Sequence, residues 1–135
     1  MRQSQDRIPV DVQSHLNYYV VQMSRAQITI LGEFEQVVVL AILRLEDNAY
    51  GVTIRQEIRE CTGRNPAPGA LYNTLDRLEE KSMVQSRMGD PSPQRGGRAK
   101  RLFTATPKGI EAVAHAQRGY QKLMERLTLP GVAHA

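Results

Sequence analysis

The chain has 135 residues and a formal net charge of +4, with 41% hydrophobic residues, three histidines and one cysteine. That length supports one domain with a modest core. No apolar run approaches the roughly 18 residues of a membrane span, and the polar start Met1-Arg2-Gln3-Ser4-Gln5-Asp6 leads into no apolar stretch of a secretory signal. A lone Cys61 cannot close an internal disulfide, which fits a reducing, cytoplasmic setting, and its expected place is as a small buried apolar residue. His15, His115 and His134 lack ligand spacing, so neither a metal nor a cofactor is expected.

Residues 1–27 read as an N-terminal extension. Leu16, Tyr19, Val20 and Met23 recur at helical spacing, which predicts a short helix over 14–24; Met23 is equally a candidate start, leaving 1–22 outside the native protein. A first helix is predicted over 33–46, with Glu33 and Glu35 at the positive end of its dipole. Its run Val37-Val38-Val39-Leu40-Ala41-Ile42-Leu43 also suits a buried strand; about fourteen residues without a breaker decide for a central buried helix. Asp47-Asn48 marks a turn. A second helix spans about Gly51 to Cys61, with Ile54, Ile58 and Cys61 on its inner face, and Thr62-Gly63 closes it before the turn Arg64-Asn65-Pro66.

The third helix is predicted from Pro68 to about Lys81, with Leu71, Leu75 and Leu78 turned inward. Its outer face then carries Gly69, Asn73, Asp76, Arg77 and Glu80, with Ala70 beside them and Tyr72 and Thr74 on the flanks. Two strands follow, Met83–Met88 and Ala99–Thr104, around the Gly/Pro-rich loop 89–98. Thr106-Pro107 starts a last helix running to about Leu127, whose residues Ile110, Val113, Gln117, Tyr120, Met124 and Leu127 alternate three and four apart as a pairing seam. Residues 28–105 thus form one unit, 106–128 a terminal helix suited to dimerisation, and 129–135 a tail.

The order is helix, helix, helix, strand, basic loop, strand, helix. The fold class is mainly α with a small β-hairpin (α+β): a winged helix-turn-helix with a C-terminal dimerisation helix. A helix enters a major groove about 12 Å wide only if its outer face lacks bulk, and Asn and Arg read base edges bidentately. Gly69 and Ala70 followed by Asn73 and Arg77 satisfy both conditions. The loop adds Arg95, Arg98, Lys100 and Arg101 for phosphates, and Gly96 and Gly97 permit close backbone approach. Arg64 and Asn65, just before the third helix, complete the DNA-facing set. No glycine-rich phosphate loop, nucleophile elbow or metal motif points to an enzyme.

Five stretches, in this order, resemble the PadR family of transcriptional regulators: Leu31-Gly32-Glu33-Phe34-Glu35, Ala49-Tyr50-Gly51-Val52, Gly69 through Lys81, Arg95 through Arg101, and Thr104-Ala105-Thr106-Pro107-Lys108-Gly109. The resemblance covers roughly residues 28–127. It implies a homodimeric repressor on an inverted-repeat operator, joined through the C-terminal helix. It also implies backbone contact by Tyr72, groove contact by Asn73, Thr74 and Arg77, and a wing tip at Arg95–Arg98. The chain departs from it at Ser82-Met83, where the family has glycine before an aliphatic residue; little effect is expected. The single terminal helix matches the smaller branch of the family. The partners expected are therefore double-stranded DNA and a second copy, without a membrane. A small aromatic effector could sit in a dimer crevice lined by Tyr18, Tyr19, Phe34 or Tyr120. The rival reading is a winged-helix protein-interaction module without DNA binding, to which Asp76, Glu79 and Glu80 point and against which the basic loop argues.

Overall fold

The structure is a computed structural model that describes residues 29–90 and 99–131. The helix expected over 14–24 lies outside these residues, as do Arg95, Gly96, Gly97 and Arg98.

Helix α1 spans Glu33–Leu45. Glu35 turns back at its start and accepts the Gly32 N–H at 2.8 Å, satisfying a donor the helix cannot pair internally. Val38, Val39, Ala41 and Ile42 are buried, so length did override the strand preference of the valines. The helix is not enclosed on all sides: Leu40 and Leu43 reach the surface. A 3-10 turn at Glu46–Asn48 follows, and the buried Ala49 accepts a hydrogen bond from the Phe103 N–H at 2.8 Å, tying the turn to the hairpin.

Helix α2, Gly51–Thr62, packs Ile54 and Ile58 into the core and ends on Gly63, whose φ of 77° only glycine adopts without steric cost. Cys61 corrects an expectation. It shares the inner side of the helix yet is exposed, in an open groove lined also by Val37, Leu40, Ala41 and Arg44 of α1, and its Sγ lies 3.5 Å from Glu57 Oε2. The turn into α3 is braced by Arg55, which donates to the Pro66 carbonyl at 2.6 Å and to Asn65 Oδ1 at 3.2 Å.

Helix α3, Pro68–Glu80, buries Leu71, Leu75 and Leu78 as its spacing requires. It ends in a Schellman motif: the Met83 N–H reaches the Leu78 carbonyl at 2.8 Å and the Ser82 N–H the Glu79 carbonyl at 3.0 Å. Ser82 takes φ 63° there. The departure from glycine at this position therefore matters more than the sequence reading expected, since a side chain occupies a left-handed site.

Strands β1, Val84–Met88, and β2, Arg101–Ala105, pair antiparallel with Val84 opposite Ala105 and Met88 opposite Arg101. Both are shorter than predicted. Phe103 is the hairpin's inward anchor, at 1% exposure, while Leu102 is only partly covered. Helix α4, Pro107–Met124, is capped by Thr106, whose Oγ1 accepts the Gly109 N–H at 3.0 Å and donates to the Ser82 carbonyl at 2.7 Å. A Cβ on Gly109 would run into the Met83 carbonyl, so this glycine is what lets α4 dock on the α3–β1 junction.

The seam on α4 differs from the predicted one. Val113 is buried in the chain's own core, the helix stops at Met124, and Leu127 follows a turn in which Arg126 takes φ 67°. The stripe of buried Gly109 and Val113 and half-buried Ala116 continues beyond the core as Tyr120 and Leu123, which are 48% and 76% exposed. Gln117 and Met124 sit at its flank, half-covered.

Candidate nucleic-acid interface

The first half of α3 is open. Ala67, Pro68, Gly69 and Ala70 are all exposed, and a Cβ built on Gly69 would meet no atom within 4 Å. Its smallness therefore serves no packing purpose among the described residues, whereas it would let a second molecule approach the helix backbone. The helix's unpaired N–H groups and positive dipole end lie there as well, a favourable setting for a phosphate. Asn73 projects from the same face and is exposed.

Tyr72 lies across the start of α2. A Cβ on Gly51 would collide with its hydroxyl and come within 2.6 Å of Cζ, so the glycine makes the seat for the ring. The ring remains 42% exposed and borders a groove of about 280 Å³ lined also by Val52, Arg55, Gln56, Arg59 and Pro68. Gln56 and Arg59 were missed as candidates. The signal was available: Val52, Arg55, Gln56 and Arg59 follow helical spacing on the side of α2 that borders α3.

Thr74 leaves the predicted set. It is 2% exposed, and its hydroxyl donates to the Ala70 carbonyl at 3.0 Å, so it faces the core rather than a groove. Arg77 is exposed but leans along the flank of α3, donating to Thr74 Oγ1 at 3.2 Å with Nε 3.8 Å from Glu35. Arg64 is held by Glu33 at 2.8 Å and stacks 5.0 Å from the Phe34 ring centroid. Asn65 is exposed and accepts from Arg55. Lys100 Nζ sits 4.4 Å over the Tyr50 ring at the base of the wing.

Beneath α3 lies an ionic link. Glu35 is 7% exposed and is met by Lys81 Nζ at 2.8 and 3.1 Å. Burial by itself would raise its carboxyl pKa. The Lys81 hydrogen bond, the Gly32 N–H and the charges of Lys81 and Arg77 outweigh that and hold it below the usual carboxylate range. Arg101, placed by sequence among the phosphate ligands of the wing, instead donates to Glu79 at 2.6 Å, to Asp76 at 3.3 Å and to Ser86 at 3.3 Å.

Residues 39–115 match the Transcriptional regulator PadR-like family. The chain belongs to that family. A relative, the transcriptional regulator Rv3488 of Mycobacterium tuberculosis, is 35% identical over 91 residues, covering 66% of this chain and 78% of that protein. Among solved structures, a PadR-like transcriptional regulator from Bacillus cereus superposes with a TM-score of 0.57 at 17% identity, over 76% of this chain and 88% of that one. F93 from STIV, a winged-helix DNA-binding protein, gives 0.57 at 13% identity, over 73% and 98%. The fold is thus the winged helix of PadR-like proteins, with α3 as its third helix and β1–β2 as its wing. As a PadR-like protein the chain is a transcriptional regulator, not an enzyme. Among the described residues no helix is long and apolar enough to cross a membrane.

Proposed function

We propose that this PadR-like regulator is a repressor that binds an inverted-repeat operator as a homodimer, through α3 and the basic wing. The observation that carries the reading is the open first half of α3. Exposed Gly69, Ala70 and Asn73, with Tyr72 seated on Gly51, present a small-faced helix end flanked by phosphate-binding chemistry. Lys100 and the wing-tip residues Arg95, Gly96, Gly97 and Arg98 would lie against the neighbouring backbone, with Arg64 and Asn65 at the entry of α3. Arg77 reads a base only after leaving Thr74 and Glu35.

A second copy is favoured by the apolar stripe on α4. Tyr120 and Leu123 continue the chain's own core seam into solvent, and Leu127 beyond the helix is 50% exposed. Two such helices pairing would place two α3 helices on one duplex, and repeated half-sites would follow from that symmetry. The effector expected from sequence gains little support here. Phe34 already carries the Arg64 guanidinium, and Tyr18 and Tyr19 lie outside the described residues.

Selection of bound duplexes from a random pool tests the reading. The expected result is a palindromic sequence with half-sites about one helical turn apart or a multiple of it. Enrichment of no sequence, with no retention of duplex DNA even at low salt, would leave the protein-interaction module as the better account.

A further inference from the structure

Helix α3 poses an electrostatic problem. It carries Asp76, Glu79 and Glu80 against Arg77 alone. At about 100° per residue, Asp76 and Glu80 fall on the same side as Gly69 and Asn73, the side offered to DNA. Carboxylates brought towards a phosphate backbone are repelled, and like charges brought together at an interface cost affinity.

We propose that Arg101 is the internal counter-ion of α3: a positioning residue that neutralises Asp76 and Glu79 and locks the wing to the helix, instead of a phosphate ligand. This rests on the DNA-binding reading above. The guanidinium leaves β2, crosses to α3 and spends its donors within the chain. Nη2 reaches Glu79 at 2.6 Å, Nη1 reaches Asp76 at 3.3 Å and Nε reaches Ser86 on β1 at 3.3 Å. Its carbon lies 4.9 Å from the centroid of the buried Phe103 ring, which fixes the plane of the fork. Ser86 completes the cluster by donating to the second Glu79 oxygen at 2.8 Å. Three elements therefore meet at one guanidinium, and the angle between wing and helix depends on it. Hydrogen bonds from Ser86 and Arg101 hold the Glu79 carboxyl below its usual range against the opposing effect of partial burial, consistent with a formed cluster.

The two roles differ in their salt dependence. A phosphate ligand contributes about 0.9 to the slope of log K against log salt; an internal counter-ion contributes close to nothing. Binding to a random-sequence duplex would be measured across salt for wild type, Arg101→Gln, Asp76→Asn/Glu79→Gln and the triple variant. The Glu79 carboxyl would be titrated by NMR without DNA. Arg101→Gln should raise the Glu79 pKa and weaken binding about tenfold with the slope unchanged, and the triple variant should recover to within about threefold of wild type. Asp76→Asn/Glu79→Gln, which keeps Arg101 and frees it, should bind more tightly than wild type; that arm decides the matter if Arg101→Gln does not fold. A slope reduced by about one in Arg101→Gln without recovery in the triple variant overturns the assignment. So does an unmoved Glu79 titration, or unchanged affinity of the Asp76→Asn/Glu79→Gln variant. Wild type that binds no duplex at all sinks the repressor reading itself, and the DNA role of Arg101 with it.

Discussion

Replacing Ser82 by glycine should stabilise the protein. Ser82 occupies the C′ position of the α3 Schellman motif with φ 63°, where an L side chain costs roughly 1–2 kcal/mol relative to its ordinary region. Glycine avoids that cost but loses about 0.5–1 kcal/mol through the greater freedom of its unfolded chain. The Ser82 side chain is exposed, and the contacts this residue makes, through its N–H to Glu79 and its carbonyl to Thr106, belong to the backbone, which glycine keeps. The net expectation is a gain of about 0.5–1 kcal/mol, or roughly 2–4 °C in Tm for a chain of this size. Urea unfolding of wild type, Ser82→Gly and Ser82→Ala would measure it. Alanine keeps the Cβ in the left-handed site and should give no gain. Equal stabilisation by alanine and glycine, or a loss with glycine, would refute the claim that backbone strain at the end of α3 is what the serine costs.

The buried Glu35 makes stability depend on pH. Its folded pKa lies below the ordinary 4.5, so its contribution is fully present above that value and is lost as pH falls through the folded pKa. Glu35→Gln should cost about 1–3 kcal/mol at pH 7 and flatten the acid limb of a stability–pH curve; an acid limb identical to wild type would remove Glu35 as its source. Gly51→Ala should displace the Tyr72 ring and weaken DNA binding much as Tyr72→Ala does. A double-mutant cycle in duplex affinity should then be strongly non-additive, and simple additivity would show that the two do not act together. Leu123→Glu, at a position 76% exposed in the single chain, should yield a folded monomer by light scattering; a persistent dimer would place the interface elsewhere.

Much of the winged helix was legible in sequence because local rules agreed with one another. The leucines of α3 at i, i+4 and i+7, Pro68 and Pro107 at helix starts and the glycine at position 63 each mark an element through backbone sterics or periodicity alone. The small face at Gly69 and Ala70 was legible for the same reason. Side-chain destinations were not. Thr74 turned inward, its hydroxyl bonded one turn back to Ala70, and Cys61 stayed exposed in an open groove between α1 and α2. Arg101 had the same charge as its wing neighbours, and only the pairing of β2 with β1 brought it over Asp76 and Glu79. The seam on α4 was read from spacing as Ile110, Val113, Gln117, Tyr120, Met124 and Leu127, and only the docking of Gly109 on Met83 showed which side of the helix faces the core. Periodicity and turn chemistry act between neighbours in the chain, so the sequence alone determined the elements and their order. Which charge meets which, and which apolar stripe is left without cover, depends on contacts between residues far apart in the chain, and only the packed tertiary structure decided them.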